Sequence, residues 1–148
     1  MQKITPCIWF ESGAKDAADF YVSIFPNSKI KGSADLPDAP GPKDQALVTI
    51  NLNGNEFMLL NGGPNPDFKR PGVVSFVILC DDQKEIDYYW DKLTEGGQEN
   101  VCGWLTDKYG TVWQVTPRDM DKLILGNKNA FQAMMKMKKI IIADLENA

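Results

Sequence analysis

A strand–helix–strand pattern occurs twice in this chain, offset by about 68 residues, and this constrains the fold more than any other feature. Ile8-Trp9-Phe10 in the first copy stands against Phe76-Val77-Ile78 in the second, and Asp19-Phe20-Tyr21 stands against Asp87-Tyr88-Tyr89. One such copy makes a sheet with a helix on one face only. That leaves a bare sheet face, so the two copies are expected to share a core or a cavity.

The first copy opens with a β-rich strand over Ile4–Phe10. Ala14, Ala17, Ala18, Tyr21, Ile24 and Phe25 then fall at helical spacing after Gly13, and Pro26 stops the helix. A short strand is expected over Ser28–Gly32 and a proline-rich loop over Leu36–Lys43. Leu47–Leu52 and Glu56–Asn61 read as strands of a hairpin about Asn53-Gly54. Residues 62–72, rich in glycine and proline, read as a linker.

The pattern restarts with Val73–Cys80, apolar enough to suggest a strand covered on both faces. Asp82 with Glu85 predicts a capped helix presenting Ile86, Tyr89, Trp90 and Leu93 on one face, ended by Gly96-Gly97. Gln98–Leu105 reads as one strand, Tyr109-Gly110 as a turn and Val112–Thr116 as the last strand, closed by Pro117. The tail is expected to be helical from Met120, with Ala130, Met134, Met137 and Ile141 on one stripe packing into the core or against a second copy. The organisation that follows is a single α+β domain over 1–148. It is built of repeats 1–61 and 73–117, with linker 62–72, and it carries a C-terminal helical tail over 118–148.

Composition narrows the chemistry. The chain has no histidine, which removes the commonest metal ligand and the commonest general base. Sixteen basic against twenty acidic residues give a net charge of −4, which argues against nucleic acid as a partner. Lys136, Lys138 and Lys139 form the only basic cluster and read as a solvated helix face. No apolar run approaches the ~20 residues that span a bilayer, so no membrane partner is expected. The N-terminal residues lead straight into a strand pattern, and Cys7, Cys80 and Cys102 lack disulfide-like spacing. A cytoplasmic protein with reduced thiols is therefore expected.

Aromatic residues carry the strongest functional signal. Trp9, Trp104, Tyr109 and Trp113 lie on strands or their ends, with Asn61, Ser75 and Gln114 as inward polar candidates. An apolar cup with a few polar groups suits a small molecule. Tryptophans filling a core between the copies would look the same in sequence. Cys7 sits on the first strand, where a ligand-facing thiol competes with a packed, inert one.

Other motifs have simpler readings. Glu11 and Asp16 suit a helix N-terminus better than an acid–base pair. Asn61-Gly62-Gly63-Pro64 suits a tight turn better than an anion cradle. No G-x-G turn follows the first strand, so no nucleotide-type cofactor is expected.

The two βαβββ-type units resemble the vicinal oxygen chelate superfamily, which includes glyoxalase I, extradiol dioxygenases, and bleomycin- and fosfomycin-resistance proteins. Within it, the chain resembles the PhnB-like, or demethylubiquinone methyltransferase-like, family. Ile4-Thr5-Pro6, Trp9-Phe10, Ala17 to Tyr21, Ile24 to Ser28 and Leu60 to Pro64 carry this in the first half. Val74-Ser75-Phe76, Tyr88 to Leu93, Cys102 to Leu105, Asp107 to Gly110, Trp113-Gln114 and the Ala133–Lys139 segment carry it in the second.

The resemblance implies a cupped mixed sheet of the glyoxalase/bleomycin resistance type around a small-molecule cavity, and a homodimer. It also places metal ligands of the metal-dependent relatives near Thr5 or Pro6, Leu60 or Asn61, Ser75, and Gln114, none of which is a carboxylate or imidazole. The expectation is a metal-free small-molecule-binding protein or degenerate enzyme with no cofactor. Its ligand would be held by Cys7, Trp9, Asn61, Ser75, Trp104, Tyr109, Trp113 and Gln114. The alternatives are a methyltransferase acting on a quinone-like phenol and a metal-dependent isomerase or lyase. A structural protein with a closed cavity is a third reading.

Overall fold

The computed structural model describes residues 3–36, 46–64 and 74–148, which divide into two compact units over Met1–Lys69 and Arg70–Ala148. The proline-rich loop expected over Leu36–Lys43 lies almost entirely outside the described residues, and so does most of the linker expected over 62–72.

The first unit contains β1 (Cys7–Phe10), α1 (Ala14–Ile24), β2 (Lys29–Asp35), β3 (Ala46–Leu52) and β4 (Asn55–Asn61). Its sheet runs in the order β1-β4-β3-β2, with β1 parallel to β4 and the other pairs antiparallel. Strand alternation divides the faces. Ala46, Val48, Ile50, Leu52, Phe57 and Leu59 are buried on the face that α1 covers, and α1 buries Ala14, Ala17, Ala18, Tyr21 and Ile24, as its spacing predicts. Each large apolar side chain so buried contributes roughly 1.5–3 kcal/mol. Phe25 takes an extended backbone because Pro26 follows it. Asn53 and Gly54 both adopt positive φ, the twist-matched geometry of a two-residue hairpin.

The second unit repeats the plan with β5 (Phe76–Cys80), α2 (Gln83–Thr94), β6 (Gln98–Glu99), β7 (Trp104–Thr106) and β8 (Val112–Pro117), ordered β5-β8-β7-β6. Asp82 caps α2 by accepting from the Glu85 amide at 2.9 Å, and Glu85 reaches back to the Asp81 amide at 2.8 Å. Ile86, Tyr89, Trp90 and Leu93 are the buried face of α2.

Three expectations need correction. β5 is not covered on both faces: Val77 and Leu79 are 51% and 48% exposed, so its apolar run reports the sheet's second face rather than a second helix. The strand expected over Gln98–Leu105 is broken, because Cys102 (φ 59) and Gly103 (φ 80) turn the chain through the left-handed region. The tail forms three short helices, α3 (Met120–Ile124), α4 (Lys128–Lys136) and α5 (Ile142–Glu146). Ala130 and Met134 share α4. Met137 is its extended C-cap and Ile141 precedes α5, so the four-residue stripe does not exist as one surface. Asn127 caps α4 by accepting from the Asn129 and Ala130 amides.

Candidate ligand-binding cleft

The strand pairings fix which predicted residues share a face. In the second unit Gln114 lies beside Val77 on β5 and Trp104 on β7, so these three side chains stand on the face that α2 leaves open. Ser75, two residues before Val77, is on the same face, and its hydroxyl accepts from Gln114 Nε2 at 2.9 Å. Thr106 and Val112 continue this face.

Trp113, between Val112 and Gln114, points the other way. It is buried beside Leu105 and Val115, its ring lies 5.4 Å from that of Phe76, and its indole N–H donates to Asp107 Oδ2 at 2.8 Å. Trp113 is therefore core, not cavity wall, and Trp104 and Trp113 occupy opposite faces of one sheet.

In the first unit Cys7 and Trp9 share the open face of β1 with Met58 and Leu60 of β4. Cys7 is exposed, and partial burial raises its thiol pKa above the ordinary value. Trp9 donates its indole N–H to the Gly63 carbonyl at 2.8 Å, and its ring lies where a side chain at Gly62 would go. The Gly62-Gly63 turn thus seats an aromatic ring, and glycine is required there for close approach. Asn61 is buried on the helix-covered face with Leu59, away from Cys7 and Trp9. Tyr109 sits in the β7–β8 turn with Lys108 Nζ 5.5 Å from its ring centre.

Pairing also sharpens the register of the metal-equivalent positions. Trp9 lies beside Leu60 as Val77 lies beside Gln114. Cys7 and Leu60 are thus the counterparts of Ser75 and Gln114: neither Thr5 nor Pro6 holds the first position, and of Leu60 and Asn61 it is Leu60 that holds the second. A thiol with a raised pKa, an isobutyl group, a hydroxyl and an amide do not make a divalent-metal donor set. Among the described residues no three Cys, Asp or Glu side chains converge on one point.

A cleft of ≈ 670 Å³ opens on this face of the second unit, lined by Gln98, Asn100, Val101, Cys102, Trp104, Thr106 and Val112. It exists because β6 and β7 are short. Between them Asn100 still bonds the Trp104 carbonyl, and the tight turn over 101–104 forms a wall. Asn100 Nδ2 donates to Thr106 Oγ1 at 3.3 Å. Of the predicted residues only Trp104 lines this cleft. Gln98, Asn100, Val101, Cys102, Thr106 and Val112 escape sequence reading because the spacing predicts an unbroken strand over most of them. Asp107 was also missed: its buried carboxylate accepts the Tyr109 and Thr111 amides and the Trp113 indole, and so organises the turn. The Asp-x-x-Gly pattern at 107–110 was the available signal.

A sequence profile described as 3-demethylubiquinone-9 3-methyltransferase matches residues 2–116. The chain belongs to this family. The family is the PhnB-like branch of the vicinal oxygen chelate superfamily. The PhnB protein from Bacillus cereus is 34% identical, with a TM-score of 0.71 over 78% of this chain and 99% of its own. Protein PA1353 from Pseudomonas aeruginosa, 20% identical, superposes with a TM-score of 0.63 over 79% of this chain and 98% of its own. The fosfomycin resistance protein FosX from Listeria monocytogenes, 11% identical, shares the fold alone, with a TM-score of 0.59 over 83% of this chain and 96% of its own. No curated protein matches the chain. The α+β architecture of two repeated modules is that of the glyoxalase/bleomycin resistance fold. Among the described residues no helix is long and apolar enough to cross a membrane.

Proposed function

We propose that this chain is a metal-free binding protein, or an enzyme of this fold that has lost its metal, and that it takes a small neutral aromatic or apolar molecule. The observation that carries the reading is the lining of the cleft in the second unit. Its described residues offer an indole and two valines for contact, and amides, a hydroxyl and a thiol for orientation, but no charge. A charged ligand would lose its hydration there without an ion pair in return, whereas a flat neutral ring gains by stacking on Trp104. The volume suits a ligand of ordinary size.

Titration calorimetry against a panel of neutral phenols and quinones tests this, with Trp104→Ala expected to weaken binding at least tenfold. Stoichiometric zinc, nickel, manganese or iron required for activity would overturn it. The same reading takes the protein as a cytoplasmic homodimer. Light scattering at micromolar concentration should give twice the 16.5 kDa chain mass.

The family's description favours a second reading, methyl transfer to a quinone-like phenol. Saturable binding of S-adenosylmethionine, measured in the same calorimeter, would select it over simple binding.

A further inference from the structure

We infer that the segment after α4, residues 137–142, is a positioning strap that holds the wall of the cleft in its binding shape and so sets ligand affinity. This rests on the binding reading of the cleft. The family profile ends at residue 116, so the strap belongs to a part of the chain beyond it.

The strap reaches the wall directly. Backbone amides of Cys102 and Gly103 donate to the carbonyls of Met137 and Lys138, each at 2.7 Å. Cys102 is a wall residue whose thiol also donates to the Met135 sulfur at 3.6 Å. Both residues sit at positive φ in a turn that the Trp104 amide closes on the Val101 carbonyl at 3.1 Å, a conformation uncommon for cysteine. Ile140, fully buried, packs close enough to Gly103 that an added methyl there would lie 3.0 Å away.

The strap's other edge is anchored to α2. Gln83 Nε2 donates to the Ile140 carbonyl at 3.0 Å, and Gln83 Oε1 accepts from the Ile142 amide at 2.8 Å. One side chain therefore clamps both sides of Ile141. Lys139 pairs with Asp87 at 2.8 Å, and Lys138 with Glu99 at 3.5 Å, beside the cleft residue Gln98. Ion pairs this accessible to solvent contribute little, so the Gln83 clamp and the Ile140 plug hold the strap.

The test uses the full chain and two measurements. Hydrogen exchange followed by mass spectrometry reads the 102–103 amides, and N-phenyl-1-naphthylamine, a neutral fluorescent probe, reads the cleft. Gln83→Ala should speed exchange of these amides at least tenfold and weaken the probe at least fivefold. Gln83→Glu keeps the acceptor for Ile142 but sets a carboxylate oxygen against the Ile140 carbonyl and the Asp87 carboxylate, and should likewise speed exchange and weaken the probe. Should Gln83→Ala lose its helical circular dichroism, Gln83→Glu carries both measurements. Unchanged exchange, or faster exchange with unchanged probe affinity, overturns the strap. A wild-type protein that fails to bind the probe overturns the binding reading instead, and the exchange data still decide whether the strap holds the wall.

Discussion

The two sheets share one strand order, yet only the second carries the cleft described above. In the first unit the strand pair β2 and β3 runs seven residues each, with a single register shift between Ile30 and Gly32. In the second the equivalent pair shrinks to two and three residues, and the tight turn between them forms a wall. The turns differ in the same sense. Asn53-Gly54 closes the first hairpin with a half-buried Asn51 side chain accepting one amide, while a buried Asp107 organises the second through three donors. The same plan thus carries a long strand pair in one copy and a short one, beside a concave surface, in the other.

The comparison predicts unequal responses to equivalent changes. Asp107→Ala should lose about 3 kcal/mol in urea unfolding, because three donors are left unsatisfied, one of them a buried indole. Asn51→Ala, in the exposed hairpin, should lose under about 1 kcal/mol. Equal losses would break the contrast. Gly103→Ala comes next. Its methyl would lie 2.6 Å from the Val115 carbonyl at a backbone φ of +80°, so on the order of 2–3 kcal/mol is expected. Gly54→Ala meets nothing within 4 Å and should lose only the left-handed backbone cost, about 1 kcal/mol.

Two pH effects are smaller or confined to extremes. Burial, with Glu85, Asp81 and Asp82 nearby, pushes the Cys80 thiol from 9.0 up to about 12. Unfolding releases that proton more readily, so stability is intact below pH 9 and falls as pH rises towards 12, at up to about 1.4 kcal/mol per unit. Cys80→Ser should flatten this alkaline limb in thermal melts. Asp87, hydrogen-bonded by Lys139 and Gln83, is held below the usual carboxylate range. Its contribution is present above the ordinary carboxylate pKa and lost as pH falls through its lowered value. Because the pair is solvent-accessible, Asp87→Asn should shift stability by no more than about 0.5 kcal/mol at neutral pH.

Much of the fold was legible in the sequence because it rests on local signals. The buried faces of α1 and α2 follow from spacing of apolar residues, the cap from Asp82 and Glu85, and the first hairpin from Asn53-Gly54. The site was far less legible. Alternation along a strand assigns two faces but does not say which one a helix covers. Trp104 and Trp113, nine residues apart, looked alike in sequence and fell on opposite sides. Asn61 went to the covered face for the same reason, one position from the open-face Leu60.

The sequence by itself determined the repeat, the family and the lack of any histidine, since these depend on residue identity and order alone. Tertiary structure decided where a cavity opens. The break at Cys102-Gly103 is held by carbonyls more than thirty residues downstream and by the Val115–Gly103 backbone bond, and no local propensity encodes contacts between segments so far apart in the chain.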